Sequence, residues 1–268
     1  MSQRKYAVCL NKEIKNSIEI KNNLIDILAN YGIIPCVLDI DNLKNGFDFV
    51  FVIGGDGTIL KAARFYAKTQ TPVFGINLGR LGFLSQSSEK DLQESVGKII
   101  KGKFYTESRS MLESNEFIAL NDIVIKGALA GRTSRFSLKI NDKIVCEYLA
   151  DGIIIATPTG STAYGLSAGG PVVSPHLSAF VIVPVCPHTL TARPLVIPDN
   201  EKISICGTDT CSKYIFSADG QEFSEFKKEL FVCKSKFTAK LALLDENGFY
   251  SVLKNKLYWG ISPACLLK

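Results

Sequence analysis

An apolar run, FVFVI at 49–53, ends in two glycines, and GGDGT at 54–58 passes straight into TILKAAR, a run of good helix formers. A buried strand that becomes a helix within five residues constrains the fold more than any other stretch of this chain. The helix must travel back along a sheet face before the next strand starts, so neighbouring strands run parallel. The flanking segments repeat the pattern. KYAVCL, IIPCVL and TPVFGIN read as short strands, and Leu24, Ile27, Leu28 and Tyr31 fall on one helix face that Gly32 closes. Ser88 and Asp91 read as an S-x-x-D cap before the helix DLQESVGKIIK.

Residues 1–104 are therefore expected to form an α/β domain, a Rossmann-like parallel sheet with flanking helices. Beyond about residue 104 the period changes. FIAL, DIVIKG, RFSLKI, KIVCEYL, GIIIAT, FVIVPV, KISICG, KYIFSA, ELFVCKS and AKLALL are short β-rich segments with turns between them. INDK at 140–143 joins two of them as a hairpin. Residues 105–245 are expected to form an all-β C-terminal domain, with the join near Gly102–Thr106. No Pro-, Gly- or Ser-rich linker marks that join, which points to a rigid interface. The last segment, YSVLKNKLYWGI, fits either region.

With 268 residues, 46% of them hydrophobic, the chain has ample core material. Its net charge of +5 suits an anionic small molecule, and no Lys/Arg stripe provides a nucleic-acid footprint. The start, MSQRKYAVCLNK, is charged and passes at once into a strand pattern, unlike a signal peptide. The longest apolar stretch, AFVIVPVC, is too short for a membrane and contains Pro184. A cytoplasmic protein is expected. The eight cysteines are scattered with no Cys-x-x-Cys and read as buried free thiols. His176 and His188 lie beside prolines without ligand partners at zinc spacing, so no protein metal site is expected.

Strand, GGDGT, helix is a phosphate-cradle topology. Gly54, Gly55, Gly57 and Thr58 would let backbone N–H groups approach an anion at a helix N-terminus. Neither G-x-x-x-x-G-K-[ST] nor G-x-G-x-x-G is present. Asp56 needs its own reason, because its charge repels phosphate. In phosphoryl transfer it would orient a hydroxyl acceptor and take its proton while Mg²⁺ screens the phosphates. A turn or helix cap is the structural alternative. A second polar loop leaves the strand GIIIAT: Thr157, Thr159, Ser161 and Thr162 alternate with Pro158 and Gly160, and Tyr164 and Ser167 follow. Its hydroxyls can bond ribose or phosphate oxygens, and the ring can stack on a base.

GGDGT at 54–58, NLGRLGFL at 77–84, Asn121–Asp122 and DGIIIATPTGSTAYGLSAGGP at 151–171 together resemble the NAD kinase family, in the family's order and over nearly the whole chain. The resemblance implies transfer of the terminal phosphoryl group of ATP to the 2′-hydroxyl of the adenosine ribose of NAD, giving NADP. It implies an α/β domain completed by about residues 246–268, a β-rich NAD-binding domain and active sites between them. It also implies a homo-oligomer, dimer or tetramer, and Mg²⁺ or another divalent cation arriving with ATP. By the same match Asp56 would accept the proton and Gly57 would help the backbone approach the dinucleotide. Asn121 and Asp122 would bond base or ribose, where a plain turn is the alternative. Asp151 would face the nicotinamide end. Thr162, Ala163, Tyr164, Gly165, Leu166 and Ser167 would line the pocket, with Tyr164 stacking. Lys61 could meet phosphate or sit on a solvated face. Arg132 matches a basic position within a divergent run, and Gln221 a polar position near the transferred phosphate. Asn77, Gly79 and Gly82 would shape the cleft floor. A lipid or sugar kinase sharing the GGDGT loop is one competing reading; a dinucleotide-binding dehydrogenase or a non-catalytic NAD sensor is another.

Overall fold

A computed structural model describes residues 4–79, 82–129, 132–208, 213–245, 248–257 and 259. The chain divides into two compact units, Met1–Ser108 with Ala239–Lys268, and Arg109–Thr238.

The first unit carries β1 (Tyr6–Leu10), α1 (Ser17–Ala29), β2 (Cys36–Asp39), β3 (Phe49–Ile53), α2 (Asp56–Ala67), β4 (Val73–Asn77), β5 (Ser85–Ser88) and α3 (Leu92–Ile100). β1 pairs in parallel with β2 and β3, and β3 pairs in parallel with β4. β5 joins the far end of β4, also in parallel. Alternation sorts the side chains of β1. Val8 and Leu10 pack with Leu24 and Leu28 of α1 and with Val96 and Ile99 of α3. Cys9 points the other way, its thiol 3.7 Å from the hydroxyl of Tyr66 on α2. Helices thus cover both faces, which is why β1, β3 and β4 are buried along their whole length.

Two local readings need correction. Tyr31 lies beyond the end of α1 and is half exposed, because its N–H has turned back to the carbonyl of Leu28. The Ser88 hydroxyl donates to the Asp91 carboxylate at 2.7 Å instead of capping backbone amides, and a short 3-10 turn at Glu89–Asp91 precedes α3. Gly32 does close α1, in the left-handed region at φ 69.

The second region continues with β6 (Tyr105–Ser114), β7 (Phe117–Ala119), β8 (Asp122–Gly127), β9 (Ser134–Ile140), β10 (Lys143–Ala150), β11 (Gly152–Ala156), α4 (Tyr164–Ser167), β12 (Ala179–Val185), β13 (Leu195–Pro198), β14 (Ile203–Gly207), β15 (Tyr214–Ala218), β16 (Glu222–Phe226) and β17 (Glu229–Leu243). One antiparallel sheet runs β13-β12-β11-β8-β15-β16. A second antiparallel set, β10-β9-β14-β17, packs against it through Ile123, Ile153, Phe180, Phe136, Leu138 and Ile205. Asn141 and Asp142, at φ 50 and 65, make the hairpin turn between β9 and β10. The region is β-rich and not strictly all-β: Gly160–Thr162 form a 3-10 turn and Tyr164–Ser167 one turn of helix. That local i to i+4 bonding escapes a search for helical period, because one turn is too short to show a repeat.

β17 ends in the first unit, where Leu241 registers in parallel with Val73 of β4, and α5 (Gly248–Leu257) follows it there. Among the described residues no helix is long and apolar enough to cross a membrane. The expectation of uniformly buried thiols also fails. Cys9 is buried, but Cys36, Cys186 and Cys233 are exposed. Cys233 alternates with buried Val232, and Cys36 lies on β2, which pairs only with β1 among the described strands. Cys211 and Cys265 lie outside the described residues.

Candidate active site

The β3–α2 turn is packed tightly at its first glycine. A Cβ on Gly54 would stand 2.6 Å from the Thr58 side chain. Gly55 is the N-cap of α2 and Asp56 its first residue. The half-buried Asp56 carboxylate accepts the N–H of Phe83 at 3.0 Å and of Leu84 at 3.3 Å. These amides belong to the NLGRLGFL segment, whose Gly82 is forced by the same contact: a Cβ there would lie 1.8 Å from Oδ1 of Asp56. Asn77 orders that segment, accepting the N–H of Gly79 at 2.8 Å. Arg80 and Leu81 lie outside the described residues. Gly57 is exposed on the first turn of α2. Lys61, one turn on, pairs with Asp41 at 2.5 Å across exposed side chains.

The second polar loop behaves differently. The Thr157 hydroxyl donates to the carbonyl of Leu120 at 2.6 Å and accepts the N–H of Gly160 at 3.1 Å. Ser161 donates to the carbonyl of Pro158 at 2.7 Å and accepts from Val173 at 2.9 Å. Thr159 accepts from Arg109 at 3.2 Å, and Thr162 donates to the carbonyl of Thr159 at 3.2 Å. Thr157 and Ser161 are fully buried. Most of the hydroxyls that sequence reading offered to a ligand therefore hold the loop together. Gly160 lets the loop approach the chain before β8, since a Cβ there would meet the carbonyl oxygen of Asn121 at 2.0 Å.

Beside this loop lies a cavity of about 1040 Å³. It occupies the face of the six-stranded sheet turned away from the inter-sheet core: Ile123 and Ile125 point into the core, while Val124 and Lys126 line the cavity. Of the expected residues, Asn121, Asp122, Arg132, Asp151, Ala163 and Tyr164 line it together. Thr162, Gly165, Leu166, Ser167 and Gln221, all described, are not part of that lining. Sequence reading missed Lys126, Asp219 and Phe223, which also line it. Lys126 sits 5.4 Å from the centre of the Tyr164 ring, a cation–π contact. Asp219 had a visible signal, an Asp-Gly pair in a turn between strands, where short acids often bond nearby backbone.

Residues 10–104 match the ATP-NAD kinase N-terminal domain, and residues 120–244 match the ATP-NAD kinase C-terminal domain. The chain belongs to the NAD kinase family. It is 39% identical to the NAD kinase of Carboxydothermus hydrogenoformans over 250 residues, covering 89% of this chain and 88% of the relative. It is 36% identical to a NAD kinase of Clostridium botulinum over 264 residues, covering 91% and 94%. Its fold superposes on a NAD kinase from Archaeoglobus fulgidus solved in complex with ATP, with TM-score 0.78, 28% identity and coverage of 94% and 98%. It also superposes on a yeast NADH kinase solved with NADH, with TM-score 0.83 and 24% identity over 97% and 90% of the two chains, a likeness of fold. Like its family, the chain is a phosphotransferase.

Electrostatics in this NAD kinase family member mark out one wall residue. Asp122 is 5% exposed, and its carboxyl is pushed up to about 7, by burial first and by the nearby negative charge of Asp219 second. A carboxyl poised there exchanges acceptor for donor character near neutral pH.

Proposed function

We propose that this chain binds NAD in the cavity of the second unit and transfers the terminal phosphoryl group of ATP to the 2′-hydroxyl of its adenosine ribose, giving NADP and ADP. The observation that carries this reading is Asp56, an acid in a glycine-rich strand-to-helix turn, oriented by two backbone amides, in a chain matching NAD kinase domains over both regions. A carboxylate offers about four acceptor positions; two amide bonds fix its direction and leave room for a sugar hydroxyl. The O2′–H proton passes to Asp56 as the O2′–phosphorus bond forms, and the bond from the terminal phosphorus to its bridging oxygen breaks with the electron pair leaving on ADP. In a loose phosphoryl-transfer transition state, orientation of the acceptor hydroxyl contributes more than early proton removal.

In this reading Asn121 and Asp122 bond base or ribose, Asp151 meets the nicotinamide end, and Tyr164 stacks with Ala163 beside it. Gly54, Gly55, Gly57 and Thr58 lie near phosphate, and Lys61 must leave Asp41 to reach it. Arg132 adds a cation. Thr162, Gly165, Leu166 and Ser167 shape the loop that carries Tyr164, and Gln221 sits near the transferred group. The donor is ATP, the ligand of the Archaeoglobus relative. Mg²⁺, or another divalent cation, would arrive on its phosphates and neutralise their charge. Among the described residues no group of three or more His, Cys, Asp or Glu side chains could hold a metal. The working form is a cytoplasmic homo-oligomer, dimer or tetramer, which light scattering would test.

The decisive experiment incubates the purified protein with Mg²⁺, NAD and either ATP or polyphosphate and measures NADP. Formation with ATP is expected. A protein that binds NAD and forms no NADP with either donor would favour the sensor reading instead.

A further inference from the structure

Asp219 lies in the turn between β15 and β16 with its backbone in the left-handed region at φ 54. Its carboxylate accepts three consecutive backbone amides: Leu120 at 3.0 Å on Oδ2, and Asn121 at 2.7 Å and Asp122 at 3.1 Å on Oδ1. Its own N–H donates to the carbonyl of Asp122 at 2.9 Å. The carbonyls of the same segment are held from the other loop. The Thr157 N–H donates to Asn121 at 2.8 Å and the Thr157 hydroxyl to Leu120 at 2.6 Å. Residues 120–122 are thus gripped on their N–H side by one carboxylate, and on their carbonyl side by Thr157 at Leu120 and Asn121 and by the Asp219 N–H at Asp122.

We infer that Asp219 is a positioning residue for the dinucleotide: by binding the amides of 120–122 it sets the direction in which Asn121 and Asp122 present their side chains to the cavity. The inference rests on reading that cavity as the NAD site. The grip is local. β8 is held by its ladder to β11 from Asp122 onward and by its ladder to β15 from Ile123 onward, so releasing the carboxylate loosens residues 120–122 on their amide side and leaves the sheet paired. Amide bonds to a charged acceptor are stronger than neutral ones, and here one side chain makes three of them. Asp219 also lines the cavity, yet amides take three of its roughly four acceptor positions, so its principal effect on the ligand passes through its neighbours.

The test compares wild type, Asp219→Asn and Asp219→Ala in the full chain, measuring kcat, the KM values for NAD and ATP, and thermal melting. Asparagine keeps an oxygen that can accept from Asn121 and Asp122 but turns an NH₂ toward the Leu120 amide, so it should fall between the other two. Asp219→Ala is expected to raise the NAD KM at least about tenfold, the factor corresponding to one lost charge-assisted bond, with the ATP KM moving less than about threefold. Parallel rises in both KM values would reduce Asp219 to a general stabiliser, and an unmoved NAD KM would overturn the proposal. Should the alanine variant fail to fold, the same split in the asparagine variant decides. A wild type that makes no NADP sinks the phosphorylation reading itself; active wild type with insensitive variants sinks only the positioning role.

Discussion

Two loops that look alike in sequence, GGDGT after β3 and TPTGSTAY after β11, do opposite work with the same residue types. In the first, a polar side chain keeps acceptor capacity: Gly82 on the facing segment makes room for Asp56, and two amides aim its carboxylate. In the second, the polar side chains are spent on the loop itself, with Thr157 and Ser161 buried against backbone. The cavity beside it is lined by Tyr164 at the end of the loop and by Asn121, Asp122 and Lys126 from a neighbouring segment. A glycine-rich polar loop is therefore no measure of how many of its side chains reach a ligand. What matters is whether the backbone beside it already consumes them.

The largest break in that contrast should come from Asp56→Asn, which keeps shape and removes the proton acceptor. Turnover is expected to fall by about 10²–10⁴-fold while calorimetry still detects NAD binding; turnover within a few-fold of wild type would remove Asp56 from the chemistry. Gly82→Ala leaves the carboxylate in place chemically but pushes it aside, since its Cβ would overlap Oδ1. A misplacement on the order of 1 Å costs about 10²-fold, so steady-state kcat should drop nearly as far as in Asp56→Asn. On the second loop, Tyr164→Ala should raise the NAD KM by about five- to a hundredfold, the range for losing one stacked ring, with a smaller change in kcat; the reverse split would count against stacking.

Thr157→Val sharpens the contrast from the structural side. It strips the buried bond to Leu120 and should destabilise the fold by about 1–3 kcal/mol, visible as a lowered denaturant midpoint. A further effect concerns pH. Asp122 holds its proton more tightly in the folded chain, at about 7 against an ordinary 3.8. Its stabilising contribution is complete below about 3.8 and disappears as pH rises through about 7. Melting temperatures of wild type and Asp122→Asn, followed from about pH 4 to about pH 8, should show wild type losing ground to the variant across that window. Parallel curves would mean that Asp122 titrates normally.

Much of the fold was legible because strand and helix patterns act locally. The alternation of FVFVI, the helix TILKAAR and the INDK turn all follow from side-chain period and backbone preference, and β3, α2 and the β9–β10 hairpin stand there. Tyr31 and the Ser88–Asp91 pair were misread because a terminal turn depends on which competing hydrogen bond wins, and Ser88 found a carboxylate before it found an amide. The thiols of Cys36 and Cys233 were misread because an apolar neighbourhood in sequence does not say which face of a strand points outward.

The sequence by itself determined the order of strands and helices, the position of an acid among glycines at a strand end, and membership of a kinase family, since each depends on residue type and spacing along the chain. Only the tertiary structure decided that the Thr157 and Ser161 hydroxyls are internal, that Gly82 exists to admit Asp56, and that Asp219 reaches back nearly a hundred positions to hold Asn121 and Asp122. Those are contacts between segments far apart in the chain. A hydrogen bond is selected by distance and direction in space, and spacing along the sequence carries neither.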